Sequence, residues 1–159
     1  MKKTMLILTA FAALAVFQWT ACGKDNTVAI ADLPSAIKVY VDANYPGYTL
    51  DEAEKETNCS GATVYDVEIE QGEENDLELT FDIDGNFLYS ETDVASADLP
   101  TAVVNSIATN YAGFASEEPS KLTLADGSTR YEVELEKGKT DKEVLFDSEG
   151  QVICEQDEH

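Results

Sequence analysis

Four short blocks of this chain occur twice, in the same order and at almost constant spacing, so its fold must build the same local structure two times. Asp32-Leu33-Pro34-Ser35-Ala36 returns 66 residues later as Asp98-Leu99-Pro100-Thr101-Ala102. At the same shift, Asn44-Tyr45-Pro46-Gly47-Tyr48 returns as Asn110-Tyr111-Ala112-Gly113-Phe114. Tyr65-Asp66-Val67-Glu68-Ile69-Glu70 likewise returns as Tyr131-Glu132-Val133-Glu134-Leu135-Glu136. After the next turn the shift becomes 65, pairing Phe81-Asp82-Ile83-Asp84-Gly85 with Phe146-Asp147-Ser148-Glu149-Gly150. One deletion in a hairpin loop explains the slip, because loops absorb length changes that strands cannot.

Each copy opens with a helix signal. Asp32 or Asp98 is placed to cap a first turn, Pro34 or Pro100 is tolerated there because its missing N–H would have no partner, and Gly47 or Gly113 closes the segment. Steps of four put Leu33, Ile37, Val41 and Tyr45 on one helical face, and Leu99, Val103, Ile107 and Tyr111 on its counterpart. The period then drops to two. Tyr65, Val67 and Ile69 alternate with Asp66, Glu68 and Glu70, and Leu77, Leu79 and Phe81 with Glu78, Thr80 and Asp82, which predicts strands with one buried and one wet face. Turn signals at Asn58 to Gly61, Gly72 to Asn75 and Asp84-Gly85 separate them, answered by Asp126-Gly127, Gly138 and Glu149-Gly150. Weaker strand signals cover residues 49–57 and 121–124. The prediction is an α+β fold: a tandem duplicated unit, each one helix packed on a four-stranded antiparallel meander, over residues 31–95 and 96–156. A unit of about 60 residues buries proportionately little surface. Joining the two sheets edge to edge, or packing the copies together, would add stability and cover strand edges.

The amino terminus reads as an export signal. Lys2 and Lys3 precede an apolar run of 13 residues, Met5 to Phe17. That is short of the roughly 20 residues a bilayer span requires, so residues 1–21 are predicted to be a signal peptide. Trp19-Thr20-Ala21-Cys22-Gly23 resembles the lipobox of bacterial lipoproteins, with Trp19 standing where that pattern has an aliphatic residue. The plainer alternative is an ordinary cleavage near Ala21 that leaves Cys22 as a thiol. Under the lipobox reading Cys22 carries the lipid and residues 22–30 form a tether. The membrane is then met only through that anchor, and the protein belongs to the bacterial cell envelope, in the periplasm or at the outer membrane or cell surface. Two further cysteines, Cys59 and Cys154, would meet an oxidising compartment. Cys59 sits in a predicted turn of the first half and Cys154 in the last strand of the second, places that argue for caution over pairing; their spacing leaves it open.

Charge narrows the possible partners. Ten basic residues against 32 acidic ones give a net of -22, which becomes -24 if Lys2 and Lys3 leave with the leader. Such a surface repels phosphate backbones and anionic headgroups, so nucleic acid is excluded as a partner. With 43% apolar and 9% aromatic residues the chain still has enough hydrophobic material for a packed core.

The Leu-Pro-x-Ala helix start, the Asn-Tyr-x-Gly-aromatic exit, the Tyr-x-Val-Glu-hydrophobic-Glu strand and the Phe-Asp-x-x-Gly hairpin, in duplicate behind a lipoprotein-like leader, resemble the PepSY-like, beta-lactamase-inhibitor-like (BLIP-like) periplasmic proteins of Bacteroidota. The resemblance covers about residues 31–156 and implies a curved antiparallel sheet with helices on one side and an open face on the other. It rests on core and turn positions, so an inhibitory role is implied by fold alone.

Candidate chemistry is sparse. Asp82-Ile83-Asp84-Gly85-Asn86 has the alternating oxygens of half a calcium loop but lacks its 12-residue frame, and a tight hairpin turn explains the same letters. The lone histidine is the terminal His159, and no nucleophile and base pair, zinc-ligand spacing or phosphate loop is present, so we expect neither catalytic residues nor a cofactor. The wet sheet face is the most unusual feature, with Asp66, Glu68, Glu70, Glu78 and Asp82 in one copy and Glu132, Glu134, Glu136, Glu143 and Asp147 in the other. Opposed like charges destabilise a sheet, so a basic protein or peptide, or loosely held divalent cations, would relieve that face; a merely solvated surface is the plain alternative. Glu68, Glu70, Glu78, Glu132, Glu134 and Glu136 are the candidate partner-binding residues, and no metal-ligand set is predicted.

Overall fold

The computed structural model describes residues 26–72 and 76–158. The predicted signal peptide, Cys22 and His159 lie outside the described residues. Helix α1 (Ser35–Asn44) is followed by strands β1 (Thr49–Thr57), β2 (Thr63–Glu70), β3 (Asp76–Asp82) and β4 (Phe87–Asp93). Helix α2 (Thr101–Asn110) is followed by β5 (Ala115–Leu124), β6 (Thr129–Lys137), β7 (Thr140–Asp147) and β8 (Val152–Glu158). All eight strands lie in one antiparallel sheet in chain order, β4 pairing with β5 from Tyr89↔Leu124 to Asp93↔Ser120. The sheet is thus continuous from β1 to β8. The outer edge of β1 is covered in turn by residues 26–28, through Thr27↔Glu54 and the bond from the Val28 N–H to the Ala53 carbonyl at 2.7 Å.

Both helices start later than the capping signals predict. Short 3₁₀ turns at Ile30–Asp32 and Ser96–Asp98 come first, so Asp32 and Asp98 lie upstream of the helices and neither caps. Pro34 and Pro100 take the N-cap position, with no side-chain hydrogen bond. The ring fixes φ near the -52° and -55° observed there, while ψ stays extended, and that ends the preceding turn and aims the chain into the helix. Strand β5 is also longer than its weak signal, starting at Ala115. Its register jumps from Glu117↔Glu134 to Ser120↔Glu132, and Glu118 has φ 37° beside Pro119. That bulge breaks the alternation by which a strand is recognised.

Ile37 and Val41 of α1 are buried with Ala53, Val67, Ile69, Leu79 and Phe81 on one side of β1–β3. Val103 of α2 is buried with Leu99, Tyr111, Val133, Leu135, Val144 and Phe146. The hairpins between β3 and β4 and between β7 and β8 close directly against the helix starts. A Cβ on Gly150, at φ +79°, would lie 2.4 Å from the Ala102 carbonyl oxygen, and one on Gly85, at φ +85°, would lie 3.0 Å from the Pro34 Cβ. Glycine is therefore required at these two positions for space as well as for conformation.

Cys59 and Cys154 are joined as a disulfide, with Cα atoms 5.8 Å apart. Their places in the sequence argue for caution over this pairing, but the structure brings the two together. Cys59 lies in the turn joining β1 to β2 and Cys154 in β8, at opposite ends of the strand order. An eight-stranded sheet whose ends come this close must curl strongly. Cys154 pairs with Leu145, a position facing away from the helices, so the curl closes over the helix-free side. Val64, Leu122 and Leu145 on that side are buried, as a flat, solvated sheet could not achieve.

Candidate functional site

The ladder registers sort charge by face. Alternation along each strand puts the four strand lysines, Lys55, Lys121, Lys137 and Lys142, on the helix side, opposite Tyr65, Thr92, Thr140 and Leu135 respectively. Carboxylates fill the other side. Glu52 on β1, Glu68 on β2, Glu78 on β3 and Glu91 on β4 oppose one another in sequence, forming an unbroken row across four strands. The second half repeats the motif in part: Glu117 on β5 opposes Glu134 on β6, Glu134 opposes Glu143 on β7, and Glu143 opposes Gln156 on β8. Among the described strand residues, Arg130 is the basic side chain on this face, opposite Asp147. The curl turns the acidic face into a groove of about 800 Å³, lined on the β1–β4 side by Glu52, Glu54, Glu56 and Asp66 and reaching Glu91 and Glu132.

The face is therefore less wet than the sequence predicts. Thr80 is fully buried and donates its hydroxyl to Asp66 Oδ1 at 2.9 Å. Burial, followed by the charges of Glu143, Glu91 and Asp66, pushes Glu132 up to about 9. Glu78 is pushed up to about 8 by burial and then by Asp66 and Glu91, and Glu56 to about 7 by burial and then by Asp66. Asp66, Glu68 and Glu91 are also raised, burial being the largest cause in each, and burial raises the Tyr89 phenol. Glu56 and Glu78 remain open to water along one side, which screens them more than it screens the partly buried Glu132. Removal from water and the proximity of like charges both disfavour ionisation, so the groove retains protons that free carboxylates would lose.

The six candidate residues do not form one cluster. Glu68 and Glu78 sit in the four-glutamate row, and Glu132 lies deeper, between Ser120 and Leu145. Glu134 opposes Glu117 and Glu143. Glu70 and Glu136 lie at the ends of β2 and β6, opposite Asp76 and Asp141, away from the floor of the groove. Asp82 and Asp147 are occupied by their turns and take no part. Asp82 Oδ1 accepts the N–H groups of Asp84 and Asn86 at 2.9 and 2.8 Å, and Asp147 Oδ1 accepts those of Glu149 and Gln151 at 3.0 and 2.8 Å. The amide of Asn86 and these backbone donors hold the Asp82 carboxyl below the usual carboxylate range. The hairpin turn thus accounts for the half calcium loop, and among the described residues no three acid, histidine or cysteine side chains converge as a metal site. Sequence reasoning missed Glu52, Glu54, Glu56 and Glu91. The first three alternate around Ala53 and Lys55, a period-two signal in a segment otherwise too polar to stand out.

Two overlapping segments of the chain, residues 16–89 and 63–154, match the family described as "Putative beta-lactamase-inhibitor-like, PepSY-like". Among solved structures, a DUF2874 family protein from Bacteroides uniformis ATCC 8492 is 20% identical at a TM-score of 0.55, over 78% of this chain and 88% of that one. A BLIP-like protein from Bacteroides fragilis NCTC 9343 is 23% identical at a TM-score of 0.51, over 79% and 86%. A protein of Bacteroides eggerthii DSM 20697 described as periplasmic is 17% identical at a TM-score of 0.53, over 79% and 88%. At these identities the likeness is one of fold. No curated protein matches the chain.

Proposed function

Because the chain belongs to the PepSY-like, beta-lactamase-inhibitor-like family, we propose that it is a non-enzymatic binding protein of the bacterial cell envelope that takes a basic protein segment or peptide on the acidic, helix-free face of its sheet. The observation that supports this most is the row Glu52, Glu68, Glu78 and Glu91, in which each carboxylate directly opposes the next. Where they are ionised, opposed like charges each cost a few tenths to about 1 kcal/mol, and a lysine or arginine side chain laid along the row would hold the carboxylates ionised and offset that cost. Glu68, Glu78, Glu132 and Glu134 are the residues proposed to meet the ligand, with Glu70 and Glu136 at its ends.

The envelope location rests on the leader, on the lipobox-like sequence ending at Cys22 and on the relatives described as periplasmic. An inhibitor-like role would be one form of the same activity, in which the bound segment belongs to an enzyme. We also read the chain as two copies of one unit, since α1 precedes β1–β4 as α2 precedes β5–β8 and the repeated blocks fall at equivalent places in both.

Titration calorimetry with a lysine- and arginine-rich peptide, at low and at moderate salt, tests the proposal. Saturable binding that weakens with salt and is lost in a Glu68→Gln, Glu78→Gln double variant supports it. Weak, non-saturating heats with the peptide and with calcium alike would leave a passive acidic envelope protein.

A further inference from the structure

The disulfide holds together parts of the sheet that nothing else in the ladder joins. Cys59 and Cys154 are 95 residues apart in sequence, and β1 and β2 share no hydrogen-bonded register with β8. The turn that presents Cys59 is itself well built. Asn58 Oδ1 accepts the Ser60 N–H at 3.2 Å, the Ser60 hydroxyl at 2.7 Å and the Ala62 N–H at 3.0 Å, so the thiol is carried on a fixed loop. The walls that the crosslink draws together are lined by acids that repel one another once ionised: Glu143 acts on Glu56, and Asp66 on Glu132.

We propose that the Cys59–Cys154 disulfide is a redox-operated clasp, which when joined holds the acidic groove closed and when reduced lets the like-charged walls move apart. A dithiol reductant supplies the step. One of its thiolates attacks a cysteine sulfur and forms a mixed disulfide, and its second thiol then displaces the protein. The products are the Cys59 and Cys154 thiols and the reductant's own disulfide, two electrons and two protons having passed to the protein. In the oxidising envelope the clasp is shut, and a local dithiol donor widens the groove. This opening requires no ligand. Its consequence for binding rests on the reading given above.

Hydrogen exchange followed by mass spectrometry, on the full chain with and without dithiothreitol, reads the aperture directly. Each redox form is measured at about pH 9, where the groove acids ionise, and at about 0.05 M and about 1 M salt, where screening lengths differ several-fold. Reduction should speed exchange in β1, β2 and β8 by roughly tenfold or more at low salt, far less at high salt, and leave β4 and β5 protected. A Cys59→Ser, Cys154→Ser double variant should reproduce the reduced pattern, and reoxidation of the reduced wild type should restore the original one. Loss of protection that spreads to β4 and β5, that ignores salt, or that does not occur overturns the clasp. A groove that opens on reduction yet takes no basic peptide in either form supports the clasp and refutes the binding reading instead.

Discussion

Replacing Glu78 by Gln should stabilise the protein at high pH and do almost nothing at low pH. Glu78 opposes Glu68 on one side and Glu91 on the other, so the substitution removes two like-charge pairs at once while keeping size and shape. At about 0.2–1 kcal/mol per opposed pair the gain is about 0.4–2 kcal/mol. For a folded region of this size that corresponds to a rise of about 2–8 °C in Tm. The gain exists only where the carboxylates are ionised. With Glu78 pushed up to about 8, the pairs are charged at pH 9 and largely neutral at pH 5. Thermal unfolding at both pH values, at low and high salt, measures the effect, which should shrink as salt screens the row. Glu70→Gln provides an internal scale, since Glu70 opposes one acid, Asp76, with Thr49 on its other side, and should give about half the rise. A Glu78→Gln variant that is less stable at pH 9, or equally stabilised at pH 5 and pH 9, would show that the row is not held together against its own repulsion.

Gly150→Ala and Gly127→Ala separate crowding from conformation: both glycines sit near φ +80°, but a Cβ at Gly127 meets nothing within 4 Å, whereas one at Gly150 runs into the α2 backbone. Urea unfolding should report a loss of about 1 kcal/mol for Gly127→Ala and about 2–5 kcal/mol for Gly150→Ala. Phe81→Ala and Phe146→Ala, each removing a fully buried ring, should cost a similar ~3–5 kcal/mol by the same assay. Stability of the unmodified chain should fall as pH rises. Glu78 and Glu132 keep protons in the folded state, up to about 8 and about 9, that the unfolded chain releases near its ordinary value of 4.5. Their contribution is complete below that value and is lost as pH passes through the folded pKa. Asp82 and Asp126, lowered by turn hydrogen bonds, act in the opposite sense at acid pH, so unfolding midpoints should peak around pH 5 and decline toward pH 9.

What the sequence revealed and what it concealed divide along physical lines. Ile37, Val41 and Val103 were readable because helical packing imposes a period near four, and Val67, Ile69 and Leu79 because a half-buried strand imposes a period of two. Helix starts were misplaced because an aspartate before a proline signals a cap equally well when a 3₁₀ turn intervenes. The first part of β5 was hidden by the bulge at Glu118 and Pro119, which shifts the alternation partway along the strand. The groove was hidden for another reason. Alternation places Asp66, Glu78 and Glu132 on the face away from the helices, but only curvature decides whether that face is open water or an enclosed wall. Curvature depends on bulges, accumulated twist and the Cys59–Cys154 link, which are properties of the whole sheet. Glu91 escaped for the same reason, its importance coming from its place opposite Glu78 and not from its neighbours in the chain.

Carboxyl carbon shifts of Glu78 and Glu132, followed by NMR from pH 3 to pH 10, probe the acidic groove without ligand or mutation. A curled sheet with acids on both walls predicts midpoints raised well above 4.5, toward about 8 and about 9. Midpoints for both near 4.5, the value of a freely solvated glutamate, would mean that the face lies flat in water and that no groove exists to receive a partner.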